Sequence, residues 1–163
     1  PEEEDAEQFY KILNRIDSRY YYAAIPETVE EEREWIQGRK EKRENNEEYN
    51  YAIIYNDQIV GGCSITIYQE HDHIGEIGYF VDNKFTNQGI ATRIVKELEK
   101  IAFDKLGLVR MEIRMDPANR ASEKVAIKNG YRREGILKKA VKLQGKYYDC
   151  ILYAKVKVGY THQ

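Results

Sequence analysis

One block, from Gly75 to Met115, does most to restrict the fold. Gly75–Val81 reads as an apolar strand, and the segment Tyr79 to Thr92 (YFVDNKFTNQGIAT) turns it through a polar loop with a single glycine. An amphipathic helix over Ile90–Phe103 starts at once, with Ala91, Ile94, Val95, Leu98, Ile101 and Ala102 on one stripe. Gly107 stops it. Leu108–Met115 then alternates, with Val109, Met111, Ile113 and Met115 against Arg110, Glu112 and Arg114. A strand, a helix and a second strand in this order form a crossover, so the two strands lie parallel. The same block builds a site. A helix that starts directly after a strand aims free backbone N–H groups and the positive end of its dipole at one spot. Such a spot suits a phosphate or pyrophosphate, and the small Ala91 leaves room for it.

The remaining elements fit around this block. Asp5–Ile16 carries Phe9, Ile12, Leu13 and Ile16 at helical spacing. Thr28 starts a second helix, with Glu31 three residues on as a capping box. Its apolar content is thin (Val29, Trp35, Ile36), which predicts a surface helix. Tyr49–Tyr55 and Gln58–Tyr68 read as strands around an Asn56-Asp57-Gln58 turn. Asn119 reads as the N-cap of a short helix closed by Gly130. Tyr131–Lys142 and Lys146–Val156 read as strands joined at Gln144-Gly145. The order is ααβββαβαββ. A meander feeding one βαβ crossover implies a mixed α/β sheet, with one parallel pair and helices on both faces.

Composition narrows the function classes. At 163 residues the chain is read as a single domain over 1–163, with no linker or repeat. A formal charge of −2 offers no basic field for nucleic acid. No run has the length of a membrane span, and no signal peptide is visible. Cys63 and Cys150 lie in apolar strand patterns and read as reduced packing residues of a cytoplasmic protein. His71-Asp72-His73 reads as a polar turn rather than a metal site, because no third ligand cluster accompanies it. The acidic runs Glu2–Asp5, Glu30–Glu34 and Glu44–Glu48 form either a solvated helical face or a surface that attracts cations.

Three motifs in order resemble those of the GCN5-related N-acetyltransferases, specifically the RimJ/RimL-like group. Thr86-Asn87-Gln88-Gly89-Ile90-Ala91 is similar to that family's Gln/Arg-x-x-Gly-x-Gly/Ala loop, with Thr86 departing from it. GEIGYFVD resembles its central strand, and NRASEKVAIKNGY its Asn-x-x-Ser…Asn-Gly-aromatic element. The chain begins almost inside the first helix, so the family's opening strand is missing or truncated. The resemblance implies acetyl-coenzyme A as donor and no metal. The backbone of Tyr79, Phe80 and Val81 would pair with the pantetheine arm. The N–H groups of Asn87, Gln88, Gly89, Ile90, Ala91 and Thr92, beside Thr86, would hold the pyrophosphate. Asn119 matches a pantetheine-contacting position. Many relatives carry a tyrosine acid seven residues after that asparagine; here the residue is Ala126, and Ser122 matches the serine that RimL-like members use instead. The resemblance also allows a homodimer.

Each proposed role has a plainer structural alternative. Glu76 and Glu112 are candidate general bases, yet Glu76 also reads as a buried acceptor. Glu112 reads as part of a same-face ladder with Arg110 and Arg114. Ser122 reads equally as a first-turn polar residue, and Asn119 as a cap. Glu76, Tyr148 and Asp149 are candidate acceptor-binding residues, and Asp149 alternatively pairs with a strand neighbour. The expected acceptor is a protein N-terminal α-amine. Two alternatives remain: a small cationic amine such as a polyamine or aminoglycoside, and a non-catalytic acyl-CoA-binding module.

Overall fold

A computed structural model describes residues 1–17, 20 and 23–159. Its elements are α1 (Ala6–Leu13), α2 (Val29–Glu44), β1 (Glu48–Tyr55), β2 (Gln58–Ile67), β3 (Ile74–Val81), α3 (Ile90–Lys100), β4 (Arg110–Met115), α4 (Arg120–Lys128), β5 (Arg132–Leu143) and β6 (Lys146–Val156). The order is the expected ααβββαβαββ. The six strands form one sheet in the order β1-β2-β3-β4-β6-β5, antiparallel throughout except for the parallel pair β3–β4.

Turn chemistry sets the hairpin registers. Asn56 (φ 49°) and Asp57 (φ 58°) are both left-handed, and Tyr55 pairs with Gln58. Gln144 (φ 48°) and Gly145 (φ 75°) do the same between Leu143 and Lys146. Two central residues with positive φ match the twist of flanking strands, which is why such dipeptides set a two-residue hairpin. At Gly61, a Cβ would sit 2.1 Å from the Phe80 carbonyl oxygen, so only glycine lets β2 and β3 approach there.

Alternation along the strands divides the core. On the α3/α4 face, Ile65, Ile77, Met111 and Ile113 meet Val95, Leu98, Ala102 and Ala126, all buried. A smaller cluster on the α1/α2 face joins Ala6, Phe9 and Ile36 to Val29, Ala52, Ile59 and Phe80. Phe9 meets Phe80 edge-on, with ring centroids 5.9 Å apart. Such pairs add about 0.5–1.5 kcal/mol beyond burial.

Three helix expectations are revised. The first helix ends at Leu13, short of Ile16. The third changes to a π-helical turn over Ile101–Lys105, which lets Leu106 N–H reach the Ile101 carbonyl before Gly107 (φ 69°) ends it. In the second, Thr28 Oγ1 accepts the Glu31 N–H at 3.2 Å, but the Glu31 carboxylate reaches back to the Glu27 N–H instead of that of Thr28. Nor is α2 wholly superficial, because Glu32 and Ile36 are buried.

Candidate active site

The parallel strands part early. β3 and β4 pair only at Ile74–Arg110, Gly75–Met111 and Glu76–Glu112. β3 continues against β2 as far as Val81, and β4 against β6 as far as Met115. Beyond the Glu76–Glu112 rung a wedge therefore opens between them. The Ile74 carbonyl accepts from Tyr68 N–H, and Asp82 N–H donates to the Val60 carbonyl. Even-numbered residues of β3 thus turn their polar groups toward β2, and Tyr79 and Val81 turn theirs into the wedge, since successive residues of a strand face opposite edges. Phe80 departs from the expectation for it: its carbonyl points at Gly61 on β2.

At the wide end of the wedge stands the corner into α3. Asp82 caps the tight turn Asn83–Phe85, accepting from Lys84 N–H at 3.2 Å. Arg15 ties this corner to α1, with an ion pair of 2.5 Å to the buried Asp82 carboxylate. Asn87 (φ 61°) and Gly89 (φ 74°) are left-handed, and Gly89 is the N-cap of α3 without any side-chain capping bond. The first helical bond runs from Arg93 N–H to the Gly89 carbonyl. The N–H groups of Ile90, Ala91 and Thr92 therefore precede the helical ladder, and the first turn carries no acidic residue. A terminus of this form suits an anion. Thr86 bonds locally, its hydroxyl donating to the Asn83 carbonyl at 3.0 Å. A Cβ on Gly89 would meet nothing within 4 Å, so within the protein the demand for glycine comes from φ, not from crowding.

The far wall is α4. Asn119 Oδ1 accepts the Ser122 N–H at 3.1 Å, so Asn119 is the N-cap. Ser122 is half-buried, and Ala126 is buried in the core. Tyr79 Oη is buried, with the Ser122 hydroxyl near it but no well-aligned hydrogen bond among the described residues. Burial pushes its pKa up, and the Ser122 hydroxyl draws it partly back.

On the α1/α2 face, two carboxylates meet at the apex of the wedge. Tyr68 Oη lies 2.8 Å from Glu76 Oε2 and 3.0 Å from Glu112 Oε2. Its single hydrogen serves one of them at a time. Glu112 is buried and held on both oxygens, with Arg110 Nε at 2.9 Å and Arg114 at 3.2 Å. This is the same-face arginine ladder expected on the plainer reading of Glu112. Glu76 is one-third exposed, with Arg114 Nε at 3.8 Å. Burial raises its pKa and the neighbouring Glu112 adds to the rise, while Tyr68 and Arg114 oppose it.

Beside this apex lies a cavity of about 390 Å³. Its floor is Gly62, Ser64 and Gly78; the Phe9 and Phe80 rings close over Gly62, and these two with Leu13 and Trp35 wall it. Glu32 of α2 lines the same space. It is 4% exposed and makes no hydrogen bond or ion pair among the described residues. Burial alone pushes its carboxyl pKa up to about 7.

Residues 1–132 match the family described as Acetyltransferase (GNAT) domain. The chain belongs to this family of N-acetyltransferases. It is similar to the probable N-acetyltransferase YjcK of Bacillus subtilis, at 33% identity over 144 residues, covering 86% of this chain and 77% of that protein. It is also similar to the ribosomal-protein-serine acetyltransferase of Escherichia coli, at 28% identity over 130 residues, covering 80% and 73%. Among solved structures, the RimL ribosomal L7/L12 α-N-protein acetyltransferase in complex with coenzyme A superposes with a TM-score of 0.83 at 24% identity, covering 96% and 90%.

Within this GNAT domain the predicted site residues divide. The strand edge at Tyr79 and Val81, the corner from Thr86 to Thr92, and the α4 start at Asn119 and Ser122 border the wedge; Glu76 and Glu112 close its apex. Asp149 is elsewhere. Its oxygens take the Lys139 N–H at 2.9 Å and Lys138 Nζ at 3.0 Å, which holds the bulge of β5 and lowers its pKa. Neither Asp149 nor Tyr148 lines the cavity. Two residues escaped sequence reasoning. Tyr68 stands just past the end of β2, and nothing local marks it as a bridge between carboxylates. Glu32 was legible in principle, because it lies four residues before Ile36 on the inward face of α2.

Proposed function

We propose that the protein transfers an acetyl group from acetyl-coenzyme A to a protein N-terminal α-amine. The observation that carries this reading is the parted strand edge at Tyr79–Val81 beside an uncapped helix N-terminus. The N–H groups from Asn87 to Thr92 would hold the pyrophosphate, and the edge of Tyr79 and Val81 the pantetheine arm. The free amide of Asn119 would add a contact. When bound, the thioester supplies an electrophilic carbonyl.

The chain supplies the rest. Val81 N–H, facing the wedge, stabilises negative charge developing on the carbonyl oxygen. Glu76, whose pKa is raised by burial, takes the amine proton directly or through a water. Tyr68 and Arg114 fix its orientation. Ser122, with Tyr79 behind it, delivers a proton to the leaving sulfur. Acceptor chemistry supports the α-amine: its pKa is about 7.7–8.0 against about 10.4 for lysine, so deprotonation at neutral pH costs roughly 3 kcal/mol less. The ribosomal-protein acetyltransferases among the relatives support the same class. The test is release of coenzyme A thiol with N-terminal peptides, lysine-blocked and N-terminally blocked controls, and small amines. Turnover that survives N-terminal blocking, or that occurs only with small amines, refutes the proposal.

A further inference from the structure

The cavity beside the apex, which the Pro1 amino end also lines, contains a carboxyl with no hydrogen bond or ion pair among the described residues. Its other acidic groups have partners. Glu31 accepts the Glu27 N–H at 2.8 Å, and Glu48 pairs with Arg39 at 3.1 Å and Lys42 at 3.5 Å. Glu32 has none, although it is 4% exposed. An ionised carboxylate enclosed by apolar side chains is costly unless a cation or strong donors meet it. The space before it is of ligand size, within the usual range for small-molecule sites. Its walls at Phe9, Leu13 and Phe80 suit an aliphatic stem, not a second polar group.

We propose that this cavity is a cation subsite, in which Glu32 binds a positively charged group of the acceptor other than the amine being acetylated. The ligand chemistry is an ammonium or guanidinium at the end of an aliphatic stem that lies against Phe9 and Phe80. On the N-terminal reading above, on which this inference rests, the group is the side chain of a lysine or arginine at the first position of the acceptor protein. The reacting α-amine then lies toward Gly78 and Phe80, which with Tyr79 are the β3 residues lining the cavity. A small diamine would present the same chemistry, and the experiment separates the two sources.

Trp35 is the sole tryptophan of the chain and lines the cavity, so its fluorescence reads occupancy without turnover. The full chain is titrated with short amidated peptides beginning with lysine or its uncharged analogue norleucine, and with arginine or its uncharged analogue citrulline. 1,5-Diaminopentane and 1-aminopentane form the second arm. A hydrogen-bonded charge is expected to favour the lysine peptide over the norleucine peptide by about 10- to 100-fold. In Glu32→Gln that ratio should fall below about 3-fold, and Glu32→Asp should restore part of it. Thermal unfolding of both variants verifies that they are folded. A diamine preference lost in Glu32→Gln, without any peptide preference, assigns the subsite to small amines. Equal binding of lysine and norleucine peptides together with equal binding of the two alkylamines overturns the proposal, as does a preference that survives Glu32→Gln, or no fluorescence response to any charged probe. Thiol release is measured on the same peptides. Turnover with no lysine preference sinks the subsite alone. A Glu32-dependent preference in binding, with no peptide acetylated, sinks the N-terminal reading alone.

Discussion

The stability of Glu32→Gln should depend on pH in a way that reports the burial of this carboxyl directly. In the folded protein its pKa stands at about 7, against an ordinary value of 4.5. Between those values the folded state binds more protons than the unfolded state, so stability falls as pH rises through the window and the full penalty applies above pH 7. Each pH unit of displacement is worth 1.36 kcal/mol, so between pH 5 and pH 8 the wild type should lose about 2–3 kcal/mol relative to Glu32→Gln, which cannot ionise there. For a chain of 163 residues, that corresponds to roughly 5–10 °C in Tm. The groups facing Glu32 do not blur the comparison. Glu31 and Glu48 are held by the Glu27 N–H and by Arg39 and Lys42, and these groups and the Pro1 amino group that lines the same cavity are common to both proteins. The assay is paired urea and thermal unfolding of both proteins at pH 5, 6, 7 and 8. A stability difference that stays flat across this range, or grows in favour of the wild type with rising pH, would refute the reasoning and show that Glu32 has its charge compensated.

Four further outcomes follow from the site. Gly89→Ala should bind coenzyme A several-fold more weakly by calorimetry and lose about 1–2 kcal/mol of stability, because alanine resists φ 74°; Gly89→Asn, which tolerates that conformation, should recover most of the stability. Glu76→Gln should lower kcat by about 100-fold or more and flatten the acidic limb of its pH profile. Glu112→Gln should instead act on the fold, because it weakens the hydrogen bonds that Arg110 and Arg114 share with a buried carboxylate; Arg110 keeps Glu134 and Arg114 keeps Glu76, so unfolding should register a loss of roughly 1–3 kcal/mol. Arg15→Ala should destabilise by a similar amount through the buried Asp82 and weaken coenzyme A binding in calorimetry, as the corner it anchors loosens.

Much of the fold was legible because local chemistry and periodicity agreed. Lys146–Val156 is found at its expected bounds, since the Gln144-Gly145 turn and the alternation beyond it specify one register. The crossover was equally plain, for an apolar strand, a helical stripe and an alternating strand leave few other topologies. Helix ends were less secure. The π-helical turn after Lys100 depends on how Leu106 and Leu108 dock into the core, which no helical period encodes.

The site divides along the same line between local and non-local causes. Its main-chain part, the corner from Asp82 to Thr92, follows from a strand meeting a helix through left-handed residues, and a sequence can announce that. Its side-chain part is assembled across the sheet. Glu76 and Glu112 become neighbours only because β3 and β4 are parallel and share a last rung, and Tyr68 joins them from the end of β2. That shared rung also sets the two carboxylates apart. Arg110 and Arg114 flank Glu112 on its own strand and engage both of its oxygens, which leaves Glu76 the carboxylate with more free surface toward an acceptor. Glu76, whose strand neighbours are glycine and isoleucine, has no cation on its own strand and meets Arg114 only at 3.8 Å, while burial raises its pKa. The strand that parts from its partner to open the wedge thus carries both the backbone edge and the carboxylate best placed to use it.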